Sequence, residues 1–174
     1  MMDAGWLWLV PAALIVWVLG AYNRMVRLRA RVLQAFIAVD HCLVRYTQLV
    51  DEHLVPDEVL PVVASWAGLR SASVQLDNNR RVARQRALDA AALAALFAAL
   101  RTLQVWWARL AAEATLHPGV LPEACRAGWE ENQRHTADAC KTFNASVLAH
   151  NAAVGQFPAS LLARLFGFRH AGHL

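Results

Sequence analysis

The sequence predicts an all-α protein in which an N-terminal transmembrane helix continues into an antiparallel bundle of long helices. An apolar segment near the N-terminus has the length of a bilayer. Apolar residues then recur every three or four positions, and no segment alternates apolar and polar residues as strands do. Of the 174 residues, 57% are hydrophobic and 17% are charged, against ~25% charged in an average domain. With 8 Gly and 6 Pro, the composition excludes the disordered and collagen-like classes.

The apolar segment covers residues 4–23, where Tyr22 is the one ionisable residue. A helix of this length measures ~30 Å, the thickness of the hydrocarbon core. Trp6 and Trp8 near one end and Tyr22 at the other have the positions of interfacial aromatic belts. We therefore expect residues 1–23 to be a transmembrane anchor. The alternative is a cleaved signal peptide, but no Lys or Arg precedes the apolar segment as such peptides require.

Four arginines follow the apolar segment before any acidic residue: Arg24, Arg27, Arg29 and Arg31. An excess of positive charge beside a span predicts that this side faces the cytoplasm. We therefore expect residues 24–174 to form a cytoplasmic domain. The same arginines are suited to contact anionic lipid head groups.

The first helix of this domain should continue directly from the anchor. Its apolar stripe runs from Met25 to Leu54 at spacings of three and four, and no Gly or Pro interrupts residues 21–55. Pro56 ends it. A helix of this length is typical of an anchor that runs into a bundle or coiled coil.

Two more long helices are expected over about 58–115 and 121–155, followed by a short terminal helix. The polar stretch from Ser71 to Asn79 predicts either a break or a solvated section, and the arginines after it should form a solvated face. The Ala- and Leu-rich residues beyond should bury one stripe: Leu93, Leu96, Leu100, Leu103, Trp107 and Leu110. A His-Pro-Gly sequence at 117–119 then ends the helix.

The sequence carries no recognisable pattern for catalysis, cofactor binding or metal binding. The three cysteines lack redox or zinc spacing, and zincin, di-iron and phosphate-loop motifs are absent. The juxtamembrane arginines account for much of the net charge of +4, and no DNA-reading motif accompanies them. We therefore expect a protein that is not an enzyme, takes no cofactor or metal, and does not bind nucleic acid.

The most distinctive pattern lies near the end of the last long helix. Asn144, Asn151 and Pro158 are each seven residues apart, and Phe157 precedes the proline. Seven residues return nearly to the same helical face. Asn side chains on one stripe of a bundle can fix its register by hydrogen-bonding across the seam. We predict that these four residues specify the packing of the bundle; a ligand site built from the asparagines is the alternative.

Residues at both ends of the chain carry a further pattern. After the anchor come Tyr22-Asn23, Leu28-Arg29, Val32, Ala35-Phe36-Ile37, Asp40, Leu43 and Arg45. At the other end come Glu131-Asn132, Lys141, Phe143-Asn144, Asn151, Phe157-Pro158, Leu162-Ala163 and Phe166-Gly167-Phe168. In order and separation these residues resemble the LemA family of bacterial membrane-anchored helical proteins. The resemblance implies a bundle of long helices behind one anchor in the bacterial inner membrane, with no established catalytic residues.

These features predict a non-enzymatic, single-pass membrane scaffold or adaptor. Besides contacting membrane lipid, it would present its bundle to another membrane protein or to copies of itself as a homo-oligomer. The alternative is a sensor or regulatory subunit of another membrane protein, such as a protease or a signalling kinase.

Overall fold

A computed structural model describes residues 4–53, 63–156 and 171–172, without the side chains of residues 4–8 and 10. Four helices account for most of them: α1 (Ala4–Glu52), α2 (Val63–Gln85), α3 (Ala90–Leu116) and α4 (Glu123–Gly155). The described residues contain no β-strand. The all-α fold class is therefore confirmed, and α4 begins and ends close to its predicted bounds.

The helices form a bundle in which α1 packs along both α4 and α2, and α2 packs along α3. Phe36 contacts Phe143 and Tyr46 contacts Trp129, so α1 and α4 run antiparallel. The four-residue connection Arg86–Asp89 reverses the chain between α2 and α3. The end of the bundle where α1 enters therefore also holds the α2–α3 connection and the last turn of α4.

The core follows the predicted apolar stripes. The buried residues of α1 recur at the expected spacing and include Met25, Val32, Phe36, Val39, Leu43, Tyr46 and Val50. All six residues predicted on the stripe of α3 are buried. Burial of apolar area, at ~25 cal/mol per Å², is the main force that holds such helices together. The 3.6-residue period puts the apolar side chains on one face of each helix, where the neighbouring helices can bury them.

The helical segment expected over about 58–115, within which the sequence leaves a break open, is divided into two helices: α2 ends at Gln85 and α3 begins at Ala90. The polar stretch Ser71–Asn79 is helical and buries one face, including Leu76. Two of its polar side chains bond within the helix: Asn79 Nδ2 donates to the Gln75 carbonyl, and Asp77 pairs with Arg80 and Arg81. The chain breaks later, before Asp89, whose carboxylate accepts from Ala91 N–H and caps α3. The predicted terminal helix lies outside the described residues.

Within the described part of the chain, α3 is the one helix that is long and apolar enough to cross a membrane. It is also a core helix, with eight residues buried in the bundle. Packing on one face and Ala-rich composition on the others explain its high hydropathy without a bilayer. Composition therefore singles out α3 and not the N-terminal segment, whose first side chains are not described.

Candidate functional site

The beginning of α1 forms an uncovered apolar stem, which we define as residues 11–20. Its larger side chains are exposed by 41% to 70%: Leu14, Ile15, Val16, Trp17 and Leu19. Among the described side chains of α1, the first buried one is Met25, where the helix enters the bundle. Single exposed apolar residues are common on protein surfaces, but a contiguous apolar surface such as this stem marks a site that contacts protein or lipid.

The predicted interface residues surround the end of this stem. Arg24, Arg27, Arg29 and Arg31 are all exposed, and within the described residues they form no ion pair. Tyr22 is exposed on the turn before them. The backbones of Trp6 and Trp8 belong to α1, but their side chains lie outside the described part. In the described part of the chain, the apolar stem is therefore followed directly by four arginines that form no ion pair.

Asn151 binds the backbone of the C-terminal tail. Its Nδ2 donates to the Ala171 carbonyl at 2.9 Å, and its Oδ1 accepts from Ala171 N–H at 2.8 Å. The next residue, Gly172, donates its N–H to the Leu88 carbonyl at 3.4 Å. A Cβ on Gly172 would overlap the backbone of Ala90, so only glycine fits this crossing. Asn151 thus joins α4, the tail and the α2–α3 connection.

The other three residues of the predicted packing motif are less informative. Asn144 is half-buried on α4 and has an interaction partner. Phe157 and Pro158 lie outside the described residues. Whether the four act together in specifying the bundle stays a prediction.

A different asparagine makes the bond across the α1–α4 seam. Asn132 is buried, and its Nδ2 donates to the Cys42 carbonyl of α1 at 3.0 Å. Its own carbonyl accepts from Thr136 Oγ1 at 2.7 Å. The signal for Asn132 was its spacing: it lies three residues after Trp129 and four before Thr136, on the same stripe as Phe143. In the sequence, Asn132 stands out only as part of the Glu131-Asn132 pair that resembles the LemA family.

An aromatic stack fills the space where α1, α3 and α4 meet. The Trp107 and Trp129 rings lie parallel, with centroids 4.0 Å apart. Tyr46 packs on Trp129 at 4.6 Å. Burial raises the pKa of Tyr46 above its ordinary value, so its hydroxyl stays protonated in the core. The stack therefore acts as packing and offers no ionised group for chemistry.

A charge cluster joins α1 to α2 and corrects part of the predicted solvated arginine face. Arg80 is largely buried, and its guanidinium donates to Asp40 of α1 at 3.0 Å and to Asp77 at 2.7 Å. Arg81 pairs with the other oxygen of Asp77. Partial burial acts to raise the pKa of Asp77, but hydrogen bonds from Arg80 and Arg81 outweigh it and lower that pKa. Arg81, Arg84 and Arg86 are exposed, as predicted.

Two of the three cysteines are poorly placed for reactivity. Burial, with Glu52 nearby, raises the pKa of Cys125 to about 11. Burial and the neighbouring Cys42 raise the pKa of Cys140. A thiol must ionise to attack or to bind a metal, so these two are held in the inert form. Among the described residues, no three His, Cys, Asp or Glu side chains are grouped as a metal site.

No protein-family model, curated protein or solved structure matches this chain. The similarity to the LemA family therefore stays a prediction, carried by the residues at the two ends of the sequence.

Proposed function

We propose that this chain is a non-enzymatic, single-pass membrane scaffold or adaptor of LemA type. Residues 1–23 anchor it in the bacterial inner membrane, and the bundle stands in the cytoplasm. One observation carries the proposal: α1 is a continuous helix that is uncovered and apolar over residues 11–20 and becomes a core helix of the bundle from Met25 onward.

The anchor part of the proposal is supported by the exposed stem. Leaving apolar area in water costs ~25 cal/mol per Å², whereas a bilayer removes that cost. Arg24, Arg27, Arg29 and Arg31 follow the stem, unpaired within the described residues, and an excess of such charge is retained on the cytoplasmic side.

The scaffold part is supported by the rigid link between anchor and bundle. The helix that leaves the membrane is itself a core helix as far as Val50, so no flexible linker separates the two. At ~1.5 Å per residue, residues 25–50 hold the far end of the bundle ~40 Å from the stem. Val26, Leu33 and Ile37 are exposed on one face of α1, at spacings of seven and four, and offer an apolar surface to a partner or a second copy.

Extraction of bacterial membranes tests the anchor. We expect the full chain to remain in membranes washed with alkaline carbonate, and the L14R/V16R variant to be released. The matched control is V105R/L148R, which adds the same charges at equally exposed positions of α3 and α4. Release of the unmodified chain, or release of the control alone, would contradict the N-terminal anchor.

Orientation and partners need separate experiments. External protease added to intact spheroplasts should leave the bundle undigested, and digestion would reverse the proposed topology. Cross-linking in native membranes, followed by mass spectrometry, should join the chain to itself or to a membrane protein. Links only to itself favour a homo-oligomeric scaffold. A reproducible link to one membrane protease or kinase, whose activity then falls on deletion while its location does not change, would favour the regulatory alternative.

A further inference from the structure

The antiparallel arrangement brings two groups of arginines together that are more than fifty residues apart in the sequence. One group follows the stem on α1: Arg24, Arg27, Arg29 and Arg31. The other, Arg84 and Arg86, lies where α2 ends and the connection to α3 begins. Because α2 returns antiparallel to its neighbours, its C-terminal end lies at the end of the bundle where α1 enters.

The described contacts fix the relative heights of the two groups. Phe36 and Phe143 face each other, and eight residues from that pair, in opposite chain directions, stand Leu28 and Asn151. Both are ~12 Å from the phenylalanine pair along antiparallel helices, so they are level. Asn151 binds Ala171, and the adjoining Gly172 binds Leu88 in the α2–α3 connection. The connection therefore lies beside the arginine-bearing turns of α1.

We call this surface the basic end and define it by the six arginines above. All six are exposed, and within the described residues none forms an ion pair. Asp89 is the one described acid in the connection, and its carboxylate is engaged in capping α3. The opposite end of the bundle carries Asp51, Glu52, Glu113 and Glu123. Two of these acids are paired, Glu52 with Arg45 and Glu123 with Arg126, so the arginines without an ion pair are the feature that distinguishes the basic end.

We propose that the basic end is a binding surface for anionic phospholipid head groups, and that Arg84 and Arg86 approach the same membrane surface as the juxtamembrane arginines. This inference rests on the proposed anchor. A lipid surface fits better than an acidic protein because the apolar stem continues directly into the turns of α1 that carry four of these arginines. Basic residues attract anionic head groups when they lie within about a Debye length, ~8–10 Å, of the bilayer surface. The base of the bundle then rests on the membrane.

The test uses the full chain in nanodiscs of phosphatidylcholine alone or of an equal mixture with phosphatidylglycerol. A fluorescent amino acid replaces Gln85, exposed at the basic end, or His117, exposed at the opposite end. Both kinds of nanodisc carry the same fraction of lipid with a spin-labelled head group as quencher. We expect the probe at 85 to be quenched more strongly in the anionic nanodiscs, and the probe at 117 to be unaffected by lipid charge.

Charge reversal separates the basic end from general electrostatics. R84E/R86E should abolish the lipid dependence at position 85. The matched control R101E/R134E, which reverses two exposed, unpaired arginines in the middle of the described bundle, should retain it. The chain could enter both kinds of nanodisc with equal quenching at position 85, or both variants could lose the lipid dependence equally. Either result would overturn this inference alone and would indicate that the basic end binds an acidic protein. Failure of the unmodified chain to incorporate would overturn the anchor and this inference together.

Discussion

The α1–α4 seam and the α2–α3 seam solve the same packing problem in different ways. Helices α2 and α3 are neighbours in sequence, joined by four residues, and the buried face of α2 is rich in Ala and Ser. Helices α1 and α4 come from opposite ends of the chain and meet through large aromatic rings and a buried amide. The four-residue connection limits the registers open to the local pair, whereas the distant pair has no such link and needs side-chain contacts that select one register.

The largest effect is expected from the aromatic stack of the distant seam. W129A removes a side chain that is 1% exposed and contacts both Tyr46 and Trp107. The resulting cavity should lower the free energy of unfolding by about 3–5 kcal/mol. Thermal unfolding of the full chain in detergent, followed by circular dichroism, measures it. The control W17A removes the same side chain from the stem, and a similar fall in Tm there would contradict a specific role for the stack.

A matched pair of glycines compares the two seams directly. In G68A the new Cβ would overlap the Trp106 ring, so α2 and α3 must separate, at a cost of about 1–3 kcal/mol. In G128A the new Cβ lies 3.1 Å from a Leu49 methyl at the end of a flexible side chain. That contact can relax, and the gain in helix propensity offsets it. We expect G68A to lower the Tm and G128A to leave it nearly unchanged; the reverse order would refute the close α2–α3 approach.

The buried amide should contribute less than the aromatic stack. N132A removes the bond to Cys42 and leaves that carbonyl without its side-chain donor, which should cost roughly 1–2 kcal/mol. N79A is the control, because Asn79 bonds only within its own helix in the described structure. The difference in Tm between N132A and N79A therefore measures the contribution of the bond between Asn132 and Cys42. Equal Tm values for N132A and N79A would show that this bond does not stabilise the register.

The smallest effect concerns the charge cluster between α1 and α2. Because the folded protein lowers the pKa of Asp77, the carboxylate stabilises the fold above its unfolded pKa, and this contribution disappears as the pH falls through the lowered value. Partly exposed pairs of this kind contribute up to about 1 kcal/mol. D77N should therefore have a lower Tm than the unmodified chain at neutral pH, with the gap closing in acid. A gap that widens on acidification would contradict the assigned sign.

Much of the fold could be predicted from local pattern, and the failures have physical causes. The stripe of α3 was predicted residue by residue, because burial on one helical face shows directly as a period of three and four. The sequence leaves open whether the polar stretch after residue 70 is a break or a solvated section of helix, and the structure places the break at Arg86–Asp89. The polar residues of Ser71–Asn79 are compatible with helix because Asn79 and Asp77 bond within α2, and the signal that starts α3 is the cap at Asp89. The hydrogen bond from Asn132 to the Cys42 carbonyl could not be predicted from the sequence, because every residue has a backbone carbonyl and only the packing of α1 on α4 selects this one.

The sequence by itself determined the helical class, the apolar segment at the start of α1 and the arginines that follow it, since each depends on residues close together in the chain. Tertiary structure alone decided that Arg80 is half-buried and ion-paired between α1 and α2 while Arg84 and Arg86 stay exposed. It also decided that these last two lie beside the arginines of α1 at one end of the bundle. The physical reason is that side-chain burial and charge proximity between helices depend on which helices pack together and in which direction they run.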